Sequence, residues 1–324
     1  MTGILIKQAG PMLTVQDLGR IGMLHLGVSG SGPMDGPSMR IANRLVGNDD
    51  GQAVLEFAHV GGHFEVAEPV RFAVTGGAVE ITVDGERRHG WESFSLLPGQ
   101  VLKIGAMRDA VWGYLALSGG IETPPVLGSR STHLRTGIGG LDGRRLSAGV
   151  RLPLGVTRSA PMMALRRPFR RPLGPVRVVK GPQGDHFDAA ACRDFLETGF
   201  VVSANRDRMA QMLEGPAVRA VAGHDIVSDG TVSGSIQVPA SGRPIVLMAE
   251  RQTTGGYPKI ATVASIDLPR LAQAMTGASL RFKEISQDEA ETLFIAQSQA
   301  LIAALSGLEE KSGTAGLRRE PGDE

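Results

Sequence analysis

Backbone punctuation constrains this chain more than any other feature: 44 glycines and 19 prolines interrupt its 324 residues. Together they make about a fifth of the chain, against a usual ~12%. Apolar residues, 42% of the total, fall into short runs between these breaks. Such a pattern predicts short strands joined by tight turns, in sandwiches or barrels rather than a helical bundle.

The runs are VRFAV (70–74), AVEITV (78–83), VLKIG (101–105), AVWGYLAL (110–117), VRVVK (176–180), TVSGSIQV (231–238), PIVLMA (244–249), KIATV (259–263) and LRFKEI (280–285). Both halves therefore read as mainly β. TGG at 75–77 predicts a hairpin between the first two runs, with Gly76 and Gly77 supplying the positive backbone angles of a tight turn. Helices are few. PSMRIANRLVGN (37–48) puts Met39, Ala42, Leu45 and Val46 on one face and stops at Gly47, and 185–196 is a second candidate. Asp267 is placed to cap DLPRLAQAM, with Pro269 in its first turn and Gly277 past its end. A last helix over 287–305 has Ser286 and Glu289 in capping-box spacing and carries Leu293, Phe294, Leu301 and Leu305 along one side. That side is expected to pack on the second domain.

A chain of this length holds two domains of ~150 residues. The sharpest compositional break, ALRRPFRRPLGP at 164–175, separates a first domain over 1–165 from a second over 176–306, with a linker at 166–175. Arg166, Arg167, Arg170 and Arg171 are read as a solvated, proline-stiffened connection in preference to an anion-binding patch. From Gly307 almost nothing apolar remains to repay the entropy of ordering, so 307–324 is expected to be a disordered tail.

With 34 basic and 33 acidic residues the net charge is +1, which leaves neither the basic excess of a nucleic-acid binder nor an acidic disordered chain. Cys192 stands alone, so no intramolecular disulfide and no Cys-rich metal site can form, and a cytoplasmic setting is expected. No apolar run approaches the ~20 residues that span a bilayer. A P-loop, a GxGxxG after a strand, a GxSxG elbow and HExxH are all missing. His59 and His63 have the spacing of a helical zinc pair, but Gly61 and Gly62 between them favour ordinary turn or strand-end histidines. Asp185, His186 and Asp188 are read as a charged first helical turn, with Gln183 free to face a cleft.

Three segments are dense in polar residues beside glycine: 16–48, 127–146 and 249–263. QDLGRIG (16–22), GVSGSGPMD (27–35), ANRLVGN (42–48), VLEF (54–57) and VSDGTVSGSIQVPASGRPIVLMAERQTTGGYPKIATV (227–263) resemble the biotin-dependent carboxyltransferase-like family. The likeness runs in order from about residue 3 to 285. Members of that family include the C subunit of 5-oxoprolinase, the second subunit of allophanate-hydrolase-type proteins and the matching half of the carboxyltransferase region of urea carboxylase.

The resemblance implies a mainly β fold of two cyclophilin-like β-barrel domains with a few short helices. It implies one subunit of an ATP-dependent 5-oxoprolinase, which opens 5-oxo-L-proline to L-glutamate beside the 5-oxoprolinase subunits A and B, the latter most directly. ATP with Mg²⁺ would be bound at or by a partner, and no biotin would be attached to this chain. Two alternatives stay open: a regulatory protein antagonising a histidine-kinase inhibitor, and a carboxyltransferase or amidolyase subunit for urea-type substrates. Lactam opening through a phosphorylated oxygen needs cations, donors for an oxyanion and a base. On that chemistry Asp35, Arg130, Gln252 and Lys259 are the catalytic candidates, and Arg20, Ser31, Glu250, Thr253 and Tyr257 the substrate-binding ones. The turns holding Asp35, Arg130 and Lys259 are expected to converge on one cleft, with Lys259 at the surface.

Overall fold

The computed structural model describes residues 3–167 and 169–311. The chain is mainly β, with four α-helices among the described residues. It forms two compact units that are not sequential. The first takes the residues up to Leu18, Gly36–Phe169 and those from Leu301 on; the second takes Gly19–Asp35 and Arg170–Ala300.

Two antiparallel sheets make the first unit. One orders its strands 151–153, 3–9, 60–66, 102–107, 79–83 and 86–88; the other runs 14–16, 54–58, 112–117, 70–75 and 93–96. Ile4, Ile6, Phe64 and Ile104 from the first sheet meet Val15, Leu55, Phe72 and Leu115 from the second in one apolar core. Each such side chain contributes ~1.5–3 kcal/mol by leaving water. Strands Val70–Thr75 and Trp112–Leu117 are buried along their whole length, because helix α1 (Gly36–Leu45) covers the face turned from the core. That explains their unbroken apolar runs. Met39, Ala42, Leu45 and Val46 are all buried, as their spacing predicts.

The hairpin expected at 75–77 does not form. Val70–Thr75 pairs with Trp112–Leu117 and Ser93–Leu96, whereas Val79–Val83 pairs with Leu102–Met107 and Glu86–Arg88 in the other sheet. Gly76 instead turns a corner between sheets: its φ is +112°, and a Cβ there would lie 2.2 Å from the carbonyl oxygen of Trp112. The hairpin in this region sits one strand later, at Asp84–Gly85, both with positive φ, joining Val79–Val83 to Glu86–Arg88.

The second unit is built on an eight-stranded sheet ordered 279–280, 200–206, 210–214, 245–247, 235–237, 259–263, 176–180 and 282–284. Its two edge strands, Ser279–Leu280 and Phe282–Glu284, are separated only by Arg281, so one stretch of chain lines both ends of a nearly closed barrel. Phe282 stacks on Phe195 of helix α2 (Ala189–Glu197), centroids 4.7 Å apart, and Phe200 packs on both. The helix expected from residue 185 starts later. Gly184–His186 is a single 3₁₀ turn, and Asp188 caps α2 by accepting from the Ala191 N–H at 2.7 Å.

Asp267 precedes helix α3 (Leu268–Gln273) without capping it. Its buried carboxylate accepts from the Arg177 backbone N–H and guanidinium at 2.7–2.9 Å and pairs with Arg270 at 3.1 Å. Arg270 in turn donates to the carbonyls of Pro172, Gly174 and Pro175, so that half of the linker is pinned. Helix α4 (Gln287–Ser306) starts as expected, Ser286 Oγ accepting from the Glu289 N–H. The packing expected of its apolar side is incomplete: Leu301 is buried, but Phe294 is 53% exposed. Residues 307–311 are also ordered, against expectation. Glu309–Glu310 pairs with Met163–Ala164, and the Lys311 ammonium lies 3.0 Å from Glu92 and over the Phe94 ring. Backbone pairing and charge replace the apolar burial that this segment lacks. The remainder of the expected tail, 312–324, lies outside the described residues.

The corner at Gly76 yields a prediction. Gly85→Ala has open space around its Cβ and should cost only the ~1–2 kcal/mol of a left-handed alanine, whereas Gly76→Ala adds a backbone clash and should cost ~3 kcal/mol or more. Urea denaturation of the two variants measures the difference.

Candidate functional site

Lys259 opens the strand Lys259–Val263, directly after Tyr257 and Pro258. It is 2% exposed, which corrects the expectation of a surface lysine. Its ammonium donates to Asp229 Oδ2 at 2.7 Å, and its backbone N–H to Gln183 Oε1 at 3.1 Å. Gln183 also donates from Nε2 to the same Asp229 oxygen at 3.1 Å, so one glutamine locks the pair from both sides. Asp229 faces solvent. The hydrogen bond from Lys259, then those from Gln183 and the Gly230 N–H, hold its carboxyl below the ordinary carboxylate range.

Next to Lys259 on the neighbouring strand Ser235–Gln237 stands Gln237. Its Oε1 accepts from Gln252 Nε2 at 3.2 Å, which ties the strand to the polar turn 249–256. Gly255 of that turn comes so close that a Cβ would sit 2.3 Å from Gln237 Nε2, so any larger residue would have to displace that amide. Thr231 fixes the turn from outside, its N–H donating to the Thr253 carbonyl and its hydroxyl to that of Gln252. Glu250 anchors the turn's start: Arg208 Nε donates to Glu250 Oε1 at 2.6 Å, with both residues buried. Arg208 also donates to Ser31 Oγ at 3.2 Å and to the Gly32 carbonyl, which holds the Gly19–Asp35 segment within the second unit.

One polar track thus runs from Ser31 through Arg208, Glu250, Gln252 and Gln237 to Lys259, Asp229 and Gln183. It is buried at its cations and open to solvent at Gln252, Asp229 and Tyr257. Ser31, Glu250, Gln252, Thr253 and Lys259 belong to it. Arg208, Gln183 and Asp229 complete it, and the sequence does not single out Arg208 or Asp229: Arg208 reads as one more charge in NRDR, and Asp229 as half of a turn-forming Asp-Gly.

The other candidates have partners of their own. Asp35, 1% exposed, accepts from Arg171 at 2.7 and 3.1 Å and from Gln273 Nε2 at 3.0 Å. Arg171 is therefore a buried-pair partner and not a solvated linker charge. Arg20 is buried, its backbone N–H bonded to the Gly30 carbonyl. Arg130 belongs to the first unit, where its guanidinium pairs with Glu122 at 2.5 Å. Its loop is fixed by Asp17, which accepts from Ser129 Oγ, Ser131 Oγ and the Arg130 N–H. Among the described residues no group of three His, Cys, Asp or Glu side chains is placed to hold a metal ion. No described helix is long and apolar enough to cross a membrane.

The family model for the carboxyltransferase domain, subdomain A and B, matches residues 26–284. The chain is 38% identical to the 5-oxoprolinase C subunit of Escherichia coli, the match covering 88% of this chain and 92% of that one. It is 28% identical to urea amidolyase of Saccharomyces cerevisiae, covering 93% of this chain but 18% of the relative. Among solved structures, TTHA0988 superposes with a TM-score of 0.79 at 38% identity, covering 87% of this chain; this chain spans about half of it, 55%. Urea amidolyase of Kluyveromyces lactis superposes with a TM-score of 0.84 at 27% identity, over 96% of this chain and 20% of that one.

The Lys259–Asp229 pair makes stability depend on acid in a defined direction. Because the folded-state pKa of Asp229 is lowered, its contribution is complete above the ordinary carboxylate value of ~3.9 and is lost as pH falls through the folded value. Asp229→Asn should therefore be less stable than wild type at pH 7, and the gap should close below about pH 4. Melting temperatures of both proteins across that range provide the check.

Proposed function

Because the chain belongs to the carboxyltransferase family, subdomain A and B, we propose that it is the C subunit of an ATP-dependent 5-oxoprolinase. The observation that carries this reading is the match at 38% identity, over 88% of this chain and 92% of the relative, to a chain named as that subunit. The reaction opens 5-oxo-L-proline to L-glutamate beside partner subunits A and B, the latter in most direct contact.

An unstrained lactam is a poor electrophile. Transfer of the ATP γ-phosphoryl group to the lactam oxygen releases ADP and removes the amide resonance that protects the carbon. Water then adds to that carbon, and the C–N bond breaks as the ring nitrogen takes a proton, leaving an acyl phosphate. A second water releases phosphate and L-glutamate, so one ATP and two waters are consumed per ring opened. Negative charge develops on oxygen at each step, and stabilising it takes fixed donors and cations. Lys259 and the amide of Gln252 are the groups we assign to that task, with Thr253 beside them. Arg20, Ser31, Glu250 and Tyr257, all of the second unit, remain the substrate-binding assignments, and Asp35 of that unit a further catalytic one. ATP and its Mg²⁺ are assigned to a partner subunit.

A second reading is carboxyl transfer to a urea-type substrate, which the family description and the Kluyveromyces lactis superposition favour. One assay separates the two. The chain copurified with its partner subunits should release glutamate from 5-oxo-L-proline only with ATP; turnover of urea, or none of 5-oxo-L-proline, rejects the first reading. In the active complex Lys259→Ala should lower turnover about 100-fold to 1000-fold, the usual effect of removing an oxyanion donor. As Lys259 is buried, circular dichroism at the assay temperature must accompany that measurement.

A further inference from the structure

Arg251 lies in the middle of the polar turn and is 6% exposed. Its side chain makes no hydrogen bond, ion pair or ring contact among the described residues, and its Nε is buried without an acceptor. Burial alone pushes its guanidinium pKa down. Two other buried arginines of the protein are satisfied by the chain: Arg71 donates to the carbonyls of Val46 and Arg158, and Arg208 to Glu250, Ser31 and Gly32. A second buried donor hangs on the same turn. Gln237 Nε2 has no acceptor, although Oε1 of that amide is taken by Gln252, the residue after Arg251. A buried guanidinium nitrogen without an acceptor is costly, and such a group calls for a matching water, ion or ligand.

We propose that Arg251 is the anion-binding residue of the second unit and takes the carboxylate of the substrate, with the Gln237 amide as a further donor. The identity of that substrate as 5-oxo-L-proline rests on the function proposed above. Charge selects a carboxylate over a phosphate. One guanidinium cancels one negative charge. A phosphate dianion would leave a second buried charge unmatched, whereas a planar carboxylate accepts the two parallel N–H groups of the fork.

The test uses the full chain, wild type and Arg251→Met, in calorimetric and thermal-shift titrations with 5-oxo-L-proline and with inorganic phosphate. Wild type should bind 5-oxo-L-proline and melt higher with it. Arg251→Met should bind at least about tenfold more weakly, the effect of one lost charge-assisted hydrogen bond. Its ligand-free melting temperature should equal or exceed that of wild type, because methionine fills the volume without the unpaired charge. A lower ligand-free melting temperature with unchanged binding would show a purely structural arginine and overturn the proposal. Binding of phosphate alone, or of neither probe by wild type, also overturns it. Assays of the complete complex separate this inference from the functional reading. Turnover of 5-oxo-L-proline with wild-type KM in Arg251→Met sinks the inference and leaves that reading standing. A complex inert on 5-oxo-L-proline, with Arg251-dependent binding retained, does the reverse.

Discussion

Charge taken out of water has to be matched, and the second unit is organised by that requirement. Asp267 gathers Arg177 and Arg270; Asp35 gathers Arg171 and Gln273; Glu250 holds Arg208. Removing one partner from such a pair leaves an uncompensated charge, typically at ~3–5 kcal/mol. Each pair also joins segments distant in sequence. Asp267 and Arg270 fix the proline-rich stretch 172–175, Asp35 fixes residue 171, and Arg208 brings residues 31 and 32 to the turn that begins at Glu250. The polar track is therefore tied to the barrel that carries it.

Strand positions were legible because apolar runs and glycine breaks are local properties. VRVVK and KIATV coincide with the observed strands Val176–Lys180 and Lys259–Val263, and α1 buries the face its spacing marks. Strand partners were not legible in the same way. A glycine that turns a corner and a glycine that closes a hairpin have the same composition, and only long-range packing separates Gly76 from Gly85. The Asp84–Gly85 dipeptide carried the stronger hairpin signal, since both positions of a two-residue turn need positive φ and Asp-Gly supplies it. Asp267 shows the same limit from the other side. Its place before a helix suits a cap, yet two arginines outcompete the helix N–H groups for its carboxylate.

The candidate site was half legible for a related reason. Polar residues beside glycine at 249–259 stood out because packing does not account for them, and the structure gathers Glu250, Gln252, Thr253 and Lys259 along one track. The burial of Lys259 could not be seen, because its partner Asp229 lies 30 residues away in sequence. Arg208 was hidden for the opposite reason: the adjacent Asp207 is an ordinary turn former, accepting from the N–H groups of Met209 and Ala210, and the two charges look alike in sequence.

Two kinds of ion pair coexist along this track, and they answer to solvent differently. Arg208 and Glu250 are both buried, so salt and water reach neither, and their attraction is screened little. Lys259 is buried, but its partner Asp229 is 51% exposed on the side chain. The second pair therefore keeps one foot in solvent, where protons and ions compete for the carboxylate. A rigid buried pair suits the framing of a site. A pair with an accessible counter-ion leaves the lysine's positive charge within reach of an incoming anion, and that asymmetry is why the chemistry is assigned to Lys259 while Arg208 is left the work of holding the turn.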